Sequence, residues 1–293
     1  MQPLLNEGKP FLKWVGGKSQ LLSEIRKRYP ATIDRYCEPF IGGGAVFFDI
    51  MAHYPIKNAY ISDRNATLIN TYRVVQKEVE QLISALSEIH EAYIKLDHGS
   101  RKVYYNGVRE QFNTQRLDGI ESAALFIFLN KTCFNGLFRV NKSGLFNVPM
   151  GAYKNPLICD SKTLRQASSL LQDTEIHCGD YADSLSFIDE KTFVYIDPPY
   201  RPLTKTSSFT SYNESCFDDD EQRRLADFID TIDKIGCKVV LSNSDPKNVD
   251  ANDSFFDDLY RKLTIARIPA KRMVNRNASD RGSINELLIL NRG

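Results

Sequence analysis

The chain has 293 residues, 42% of them apolar and 26% charged, with a formal net charge of +1 at pH 7. Those proportions exclude a mainly disordered, collagen-like or disulfide-stapled chain, and the length suits roughly two domains around a sizeable core. The small net charge conceals an asymmetry: residues 99–165 carry ten Lys/Arg against four acids, 261–293 carry eight against two, and 214–233 carry eight acids against two Arg.

The first nine residues lack the basic-then-apolar pattern of a leader. The greasiest run, 123–129, falls far short of the ~18 apolar residues of a membrane span. A cytoplasmic protein without a membrane partner is the expectation. Cys37, Cys133, Cys159, Cys178, Cys216 and Cys237 are widely spaced and form no C-x-x-C pair, so buried reduced thiols are expected. The four histidines show no ligand spacing, and no metal site is expected.

The first motif is Phe11-Leu12-Lys13-Trp14-Val15-Gly16-Gly17-Lys18. A lysine beyond a Gly-Gly turn can pair with a carboxylate ligand and Trp14 can pack on a cofactor; equally, the two could be plain surface and core. A helix is predicted over 20–28. Next, Tyr36-Cys37 reads as a buried strand running into Glu38-Pro39-Phe40-Ile41-Gly42-Gly43-Gly44, followed by a helix over 45–52. Three glycines permit close ligand approach and positive φ, and the following helix presents its N–H groups. The spacing is neither G-x-G-x-x-G nor a Walker motif, and a tight structural turn is an alternative.

The strand at 59–62 ends at Asp63. A carboxylate there can accept both ribose hydroxyls of a nucleoside-type cofactor, or simply cap the helix predicted over 66–86. Residues up to about Leu129 read as helical. Then come two β-prone arms within 135–149 around Lys142-Ser143-Gly144, which read as a β-hairpin. Residues 65–160 are therefore taken as an inserted domain, and 1–64 with 161–293 as a discontinuous α/β domain with a mostly parallel sheet.

The apolar strand 192–196 runs into Asp197-Pro198-Pro199-Tyr200. Two prolines stiffen this tetrapeptide and contribute carbonyls without N–H donors. Orienting an exocyclic NH2 takes two acceptors and a π surface, and this ledge offers a carboxylate, carbonyls and an aromatic ring. The strand 238–241 and a helix over 219–234 complete the pattern.

With these residues in hand, the chain resembles the Dam/DpnM-type (D12 class) DNA adenine-N6 methyltransferases, which use S-adenosylmethionine. The likeness spans nearly the full length. It runs through residues 11–18 and 38–44, Asp63, Asn135 to Asn141, Phe146 to Tyr153, Gly179-Asp180-Tyr181, Asp197 to Tyr200, and a tail with Arg276-Asn277-Ala278 and Glu286-Leu287-Leu288. The resemblance implies a Rossmann-like methyltransferase sheet with helices on both faces, plus an inserted helical and β-hairpin DNA-recognition domain.

It further implies that Lys18 binds the methionine carboxylate beside Trp14, and that Glu38, Pro39, Phe40, Gly42, Gly43 and Gly44 line the cofactor. Asp63 would take the ribose hydroxyls, and Asp180 and Tyr181 would edge the adenine. Asp197, Pro198, Pro199 and Tyr200 would do the chemistry on a flipped adenine of double-stranded DNA, by direct in-line transfer. Arg139 would read a guanine, Leu137 and Pro149 a thymine methyl, and Lys13 and Tyr153 the first guanine. Phe134 would fill the gap of the extruded base, with Asn135, Asn147, Arg276 and Asn277 also on DNA. These side chains favour GATC. Phe138 and Leu145 depart from some relatives, which bears on flanking contacts. A monomer is expected, and a cognate restriction endonuclease is left open. The rival readings are the same chemistry at another adenine site, methylation of RNA or of a protein amide, an inert DNA-binding module, and a nicotinamide dehydrogenase.

Overall fold

The structure, a computed structural model, describes residues 8–115, 119–201, 217–271 and 283–291. Among them are strands β1 (Arg35–Glu38), β2 (Asn58–Asp63), β3 (Thr174–Cys178), β4 (Thr192–Ile196), β5 (Lys238–Ser244), β6 (Thr264–Lys271) and β7 (Ser283–Leu290). They form one seven-stranded sheet in the order β3-β2-β1-β4-β5-β7-β6. β1 and β5 run parallel to β4, with Cys37 opposite Val194 and Ile196 opposite Leu241. β7 is antiparallel to both β5 and β6. The sheet is thus mixed, with helices on both sides, in the α/β, Rossmann-like architecture that the resemblance implies. β4 is buried at all five positions and apolar or aromatic from Phe193 to Ile196, as suits a central parallel strand covered on both faces.

The helices are α1 (Leu22–Arg26), α2 (Ala45–His53), α3 (Ala66–Lys77), α4 (Val79–Ile94), α5 (His98–Thr114), α6 (Gly119–Thr132), α7 (Ser161–Leu170), α8 (Asp219–Ile235) and α9 (Phe255–Leu259). None among the described residues is long and apolar enough to cross a membrane. The acidic zone finds its explanation in α8. Asp218 caps it by accepting the N–H groups of Asp220 and Glu221, three acids fill the first turn, and Gly236 closes it at φ 100°. Leu225, Phe228, Ile229 and Ile232 form its buried face.

The chain divides into two compact units. One comprises residues up to Lys18, Ile41–Pro55 and Ile61–Gly179; the other comprises Ser19–Phe40, Ile56–Tyr60 and the residues from Asp180 onward. In the first, α6 contacts α3, α4 and α5, which is why its apolar run is buried all round rather than along one stripe. Phe128 of α6 meets the rings of Tyr93, Tyr104 and Tyr105 edge-on or tilted. In the second, Val194, Ile196, Val239, Leu241, Leu287 and Ile289 build a core against α8 and α9.

Several expectations need correction. The helix predicted over 66–86 is two helices, because Glu78 (φ −135°, ψ 35°) breaks the run and both halves pack on α6. The helix over 20–28 shortens to α1, preceded by a 3-10 turn at Lys18–Gln20. The 135–149 segment returns antiparallel, with Val140 opposite Phe146, but as an isolated bridge rather than a ladder. Its outward main-chain groups at Phe146 go instead to the side chain of Asn113, which donates to the carbonyl at 2.9 Å and accepts from the N–H at 2.8 Å. Cys37, Cys133 and Cys237 are buried free thiols, whereas Cys159 is half-buried and Cys178 is exposed; Cys216 lies outside the described residues.

Candidate functional site

The glycine turn after β1 is left-handed at Gly42 (φ 45°) and Gly44 (φ 71°). These are conformations that a Cβ penalises. Trp14 lies on this turn: a Cβ at Gly42 would sit 2.8 Å from its Cδ1, and one at Gly43 2.7 Å from its Cβ. The indole also stacks on Phe138 at 5.9 Å. Asp63 ends β2, and its Oδ2 accepts the Gly42 N–H at 3.2 Å while Oδ1 accepts the Asn65 N–H at 2.9 Å. Asn65, not Asp63, caps α3, accepting the Leu68 N–H at 3.1 Å. Burial pushes the Asp63 carboxyl above the usual range, and the backbone donors pull it back. The Arg64 N–H is a third backbone donor, and since a carboxylate has about four acceptor positions, capacity remains for a ribose hydroxyl. Lys18 is 4% exposed and donates to the Gly16 carbonyl at 2.8 Å. A buried ammonium suits an anionic ligand.

In the second unit, Glu38 is buried at the carboxyl end of β1 and accepts the Tyr36 hydroxyl at 2.5 Å. Burial and the Glu38 charge raise the Tyr36 hydroxyl well above its ordinary value, so it stays a donor. Pro39 is buried too, while half-buried Phe40 stacks on Tyr181 with centroids 5.2 Å apart. Asp180 caps the 3-10 turn Tyr181–Ser186 by accepting the Ala182 N–H at 2.9 Å. It also accepts two bonds from Arg224, at 2.7 and 3.1 Å.

Asp197 follows β4 directly. Its Oδ1 accepts the Ser242 hydroxyl at 2.8 Å, and Ser242 in turn accepts the Tyr195 hydroxyl at 3.0 Å. Pro198 is buried and Pro199 exposed; the Pro199 carbonyl accepts from Gln222 at 3.3 Å, whose own oxygen accepts from Asn243 at 3.3 Å. The Tyr200 hydroxyl donates to Glu286 of β7. Burial, then the charges of Asp197 and Glu286, raise that hydroxyl far above its ordinary value. Arg201 closes the segment with bonds of 2.6 Å to Asp219 and to Asp253, its guanidinium 4.2 Å over the Phe255 ring. The segment is therefore held at Asp197, Pro199, Tyr200 and Arg201. Ser242, Gln222, Asn243 and Glu286 carry no role in the sequence; the signals are that Ser242-Asn243 ends a parallel strand beside the one leading to Asp197, and that Glu286 opens the Glu286-Leu287-Leu288 tail motif.

Of the DNA-reading candidates, Phe134 is 50% exposed and Asn135 is left-handed at φ 55°. The Phe134 N–H donates to the Pro149 carbonyl at 2.9 Å, joining the two ends of the segment. Leu137 is half-buried and Pro149 exposed. Arg139 is exposed, and its Nε donates to the Asn147 side chain at 2.7 Å. Lys13 holds its ammonium 4.1 Å over the ring of Tyr153. Such cation–π pairing aims a charge while leaving it accessible. Arg276 and Asn277 lie outside the described residues.

The family model for D12 class N6 adenine-specific DNA methyltransferases matches residues 14–274. A Type II methyltransferase, M.MjaIII, of Methanocaldococcus jannaschii is 48% identical over 97% of this chain and 99% of its own length. The Type II methyltransferase M1.LlaDCHI of Lactococcus lactis subsp. cremoris is 38% identical over 97% of this chain and 96% of its own. A DNA adenine methylase of Escherichia coli is 31% identical over 98% of this chain and 96% of its own. With this agreement and the Asp197–Tyr200 ledge at the end of β4, the chain belongs to the D12 class of N6 adenine-specific DNA methyltransferases, which take their methyl group from S-adenosylmethionine.

Proposed function

We propose that this enzyme methylates N6 of adenine within GATC in duplex DNA, acting as a monomer in the cytoplasm on a base flipped out of the helix. Residues 65–160 supply target recognition, and 1–64 with 161–293 the chemistry. The observation that carries the reading is the ledge itself: a carboxylate oriented by Ser242, carbonyls without competing prolyl donors, and a Tyr200 ring fixed through Glu286.

The residues present fit the methyl donor. The left-handed Gly42 and Gly44 shape a turn on which Trp14 lies, Asp63 retains acceptor capacity, and Lys18 brings a cation. Trp14, Lys18, Gly42, Gly43, Gly44 and Asp63 are assigned to the donor, with Glu38, Pro39, Phe40, Asp180, Tyr181 and Asp197 completing the contacts. Asp180 already serves Arg224 and Ala182, so its share is an edge contact. When bound, S-adenosylmethionine supplies an electrophilic sulfonium methyl.

Extruding the adenine costs a few kcal/mol. Tyr200 stacks on the extruded base, and Phe134 fills the gap left in the duplex. Asp197 and the Pro198 carbonyl accept the two N6–H bonds, which turns the amine toward tetrahedral geometry and localises its lone pair. N6 gains a methyl and loses one proton, for which Asp197 is the first acceptor. Orientation and electrostatics supply most of the gain, and no covalent enzyme intermediate is needed. Arg139 reads guanine through O6 and N7, Lys13 and Tyr153 the first guanine, and Leu137 and Pro149 the thymine methyl, each good bidentate pair being worth ~1–3 kcal/mol. Asn135, Asn147, Arg276 and Asn277 complete the DNA contacts.

The test is to map N6-methyladenine after incubating genomic DNA with the enzyme and with Asp197→Ala. Methylation confined to GATC, and lower by orders of magnitude in a folded Asp197→Ala, is expected. Marks at another adenine site overturn the GATC assignment, and near-normal turnover by the variant overturns the role of Asp197.

A further inference from the structure

We propose that Asn130 is a positioning residue for target choice: it locks the main chain of Lys13 against the 134–137 turn, so that the base preference exerted through Lys13 depends on it. This rests on the reading of Lys13 as a contact to the first guanine.

Asn130 lies near the end of α6 and is 3% exposed. Its Oδ1 accepts the Lys13 N–H at 2.9 Å, and its Nδ2 donates to the Lys13 carbonyl at 2.7 Å and to the Gly136 carbonyl at 3.3 Å. One side chain thus binds both main-chain groups of a residue 117 positions away, as a neighbouring strand would, and ties the same residue to the recognition turn. The contact continues on the side-chain level. Gly136 is left-handed (φ +64°), and a Cβ there would lie 2.5 Å from Cβ and 2.8 Å from Cδ of Lys13. The lysine stem therefore runs along a surface that only glycine leaves open, and its ammonium ends over Tyr153 at 4.1 Å. Main chain, stem and charge of Lys13 are each located by a different partner.

The chemistry at position 130 is demanding. A carboxamide supplies one acceptor and two donors in one plane, and all are used. A carboxylate would face two carbonyls with no hydrogen to offer, and a serine is too short to span them. The segments joined are the Lys13 strip and the turn bearing Phe134, Asn135 and Leu137, so a loosened clamp moves groups proposed to read bases.

The experiment measures kcat/KM on a GATC duplex and on one whose first guanine is replaced by adenine, for the intact enzyme, Lys13→Ala, Asn130→Asp, Asn130→Ser and the double variant Lys13→Ala/Asn130→Asp. A ratio of two kcat/KM values on one preparation cancels the active fraction, so partial unfolding leaves it unmoved. The expected result is a loss of discrimination of about tenfold in Asn130→Asp and in Asn130→Ser, comparable to Lys13→Ala. The double variant is expected to lose no more than Lys13→Ala alone. Discrimination lost in Lys13→Ala but intact in both Asn130 variants overturns the positioning role and leaves the reading of Lys13 standing. An unchanged ratio in Lys13→Ala overturns both.

Discussion

Asp197 owes its orientation to a directional chain of three side chains. Burial and the charge of Asp197 keep the Tyr195 hydroxyl protonated, so it donates to Ser242. Ser242 then has one proton to place, and Asp197 Oδ1 at 2.8 Å is the better acceptor than the Ile196 carbonyl at 3.4 Å. Ser242→Ala removes the donor and leaves the buried Tyr195 hydroxyl without its acceptor, at a cost of about 1–3 kcal/mol of stability. Asp197 loses the donor that aims its Oδ1, and single-turnover methylation of DNA is expected to fall roughly tenfold to a hundredfold while the site preference is kept. A rate equal to that of the intact enzyme would mean that Asp197 is oriented without the Ser242 hydroxyl. Residues such as Asp197, Tyr200 and Gly42 to Gly44 are legible in the sequence because their chemistry is contiguous. Ser242, Gln222 and Glu286 are not, since their partners lie 45, 23 and 86 positions away and meet only through sheet register and helix placement.

At the scale of elements, the turn into α2 depends on Gly44, which sits at the helix N-cap with φ 71°. A methyl there would lie 2.6 Å from the Tyr72 hydroxyl and 3.1 Å from Phe48. Tyr72 is also the donor to the Gly42 carbonyl at 3.0 Å, so displacing it disturbs the turn from behind. Gly44→Ala is therefore expected to lose about 2 kcal/mol or more, seen as a Tm lower by several degrees, and to weaken binding of S-adenosylmethionine in calorimetry. A variant with the parent Tm and affinity would mean that the turn accepts a side chain at position 44. The strands that carry the site were readable for a related reason: β1, β4 and β5 are buried apolar runs ending in polar residues. β3 alternates buried Thr174 and Ile176 with exposed Glu175 and His177, so no apolar run announces it. β6 and β7 pair antiparallel at the end of the sheet order and mix Arg, Pro, Asn and Glu into their apolar positions. The break at Glu78 has no Gly or Pro to mark it; contacts with α6 decide it.

For the molecule as a whole, the charge zones are only partly a nucleic-acid footprint. In 99–165, Arg101 donates to the carbonyls of Tyr93, Ile94 and Lys154, and Arg165 forms a two-point pair with Glu80 at 2.7 Å. In 261–293, Arg267 serves the fully buried Asp245 and also Asp257. These cations support the fold, and counting charges along the sequence cannot separate them from the rest. Arg139 and Lys142 are exposed in the stretch that carries the 141–144 turn. Arg139 carries its guanidinium in a planar fork beside Asn147, suited to a base edge, whereas Lys142 offers a point charge suited to phosphate. The two should separate in a salt titration of DNA binding. Each phosphate contact contributes about 0.9 to the slope of log K against log salt, so Lys142→Ala is expected to lower the slope magnitude by about that much, equally on GATC and unrelated duplexes. Arg139→Ala should chiefly narrow the gap between the two duplexes. A slope unchanged by Lys142→Ala would place Lys142 off the DNA backbone and leave the basic zone with a smaller footprint than its charge implies.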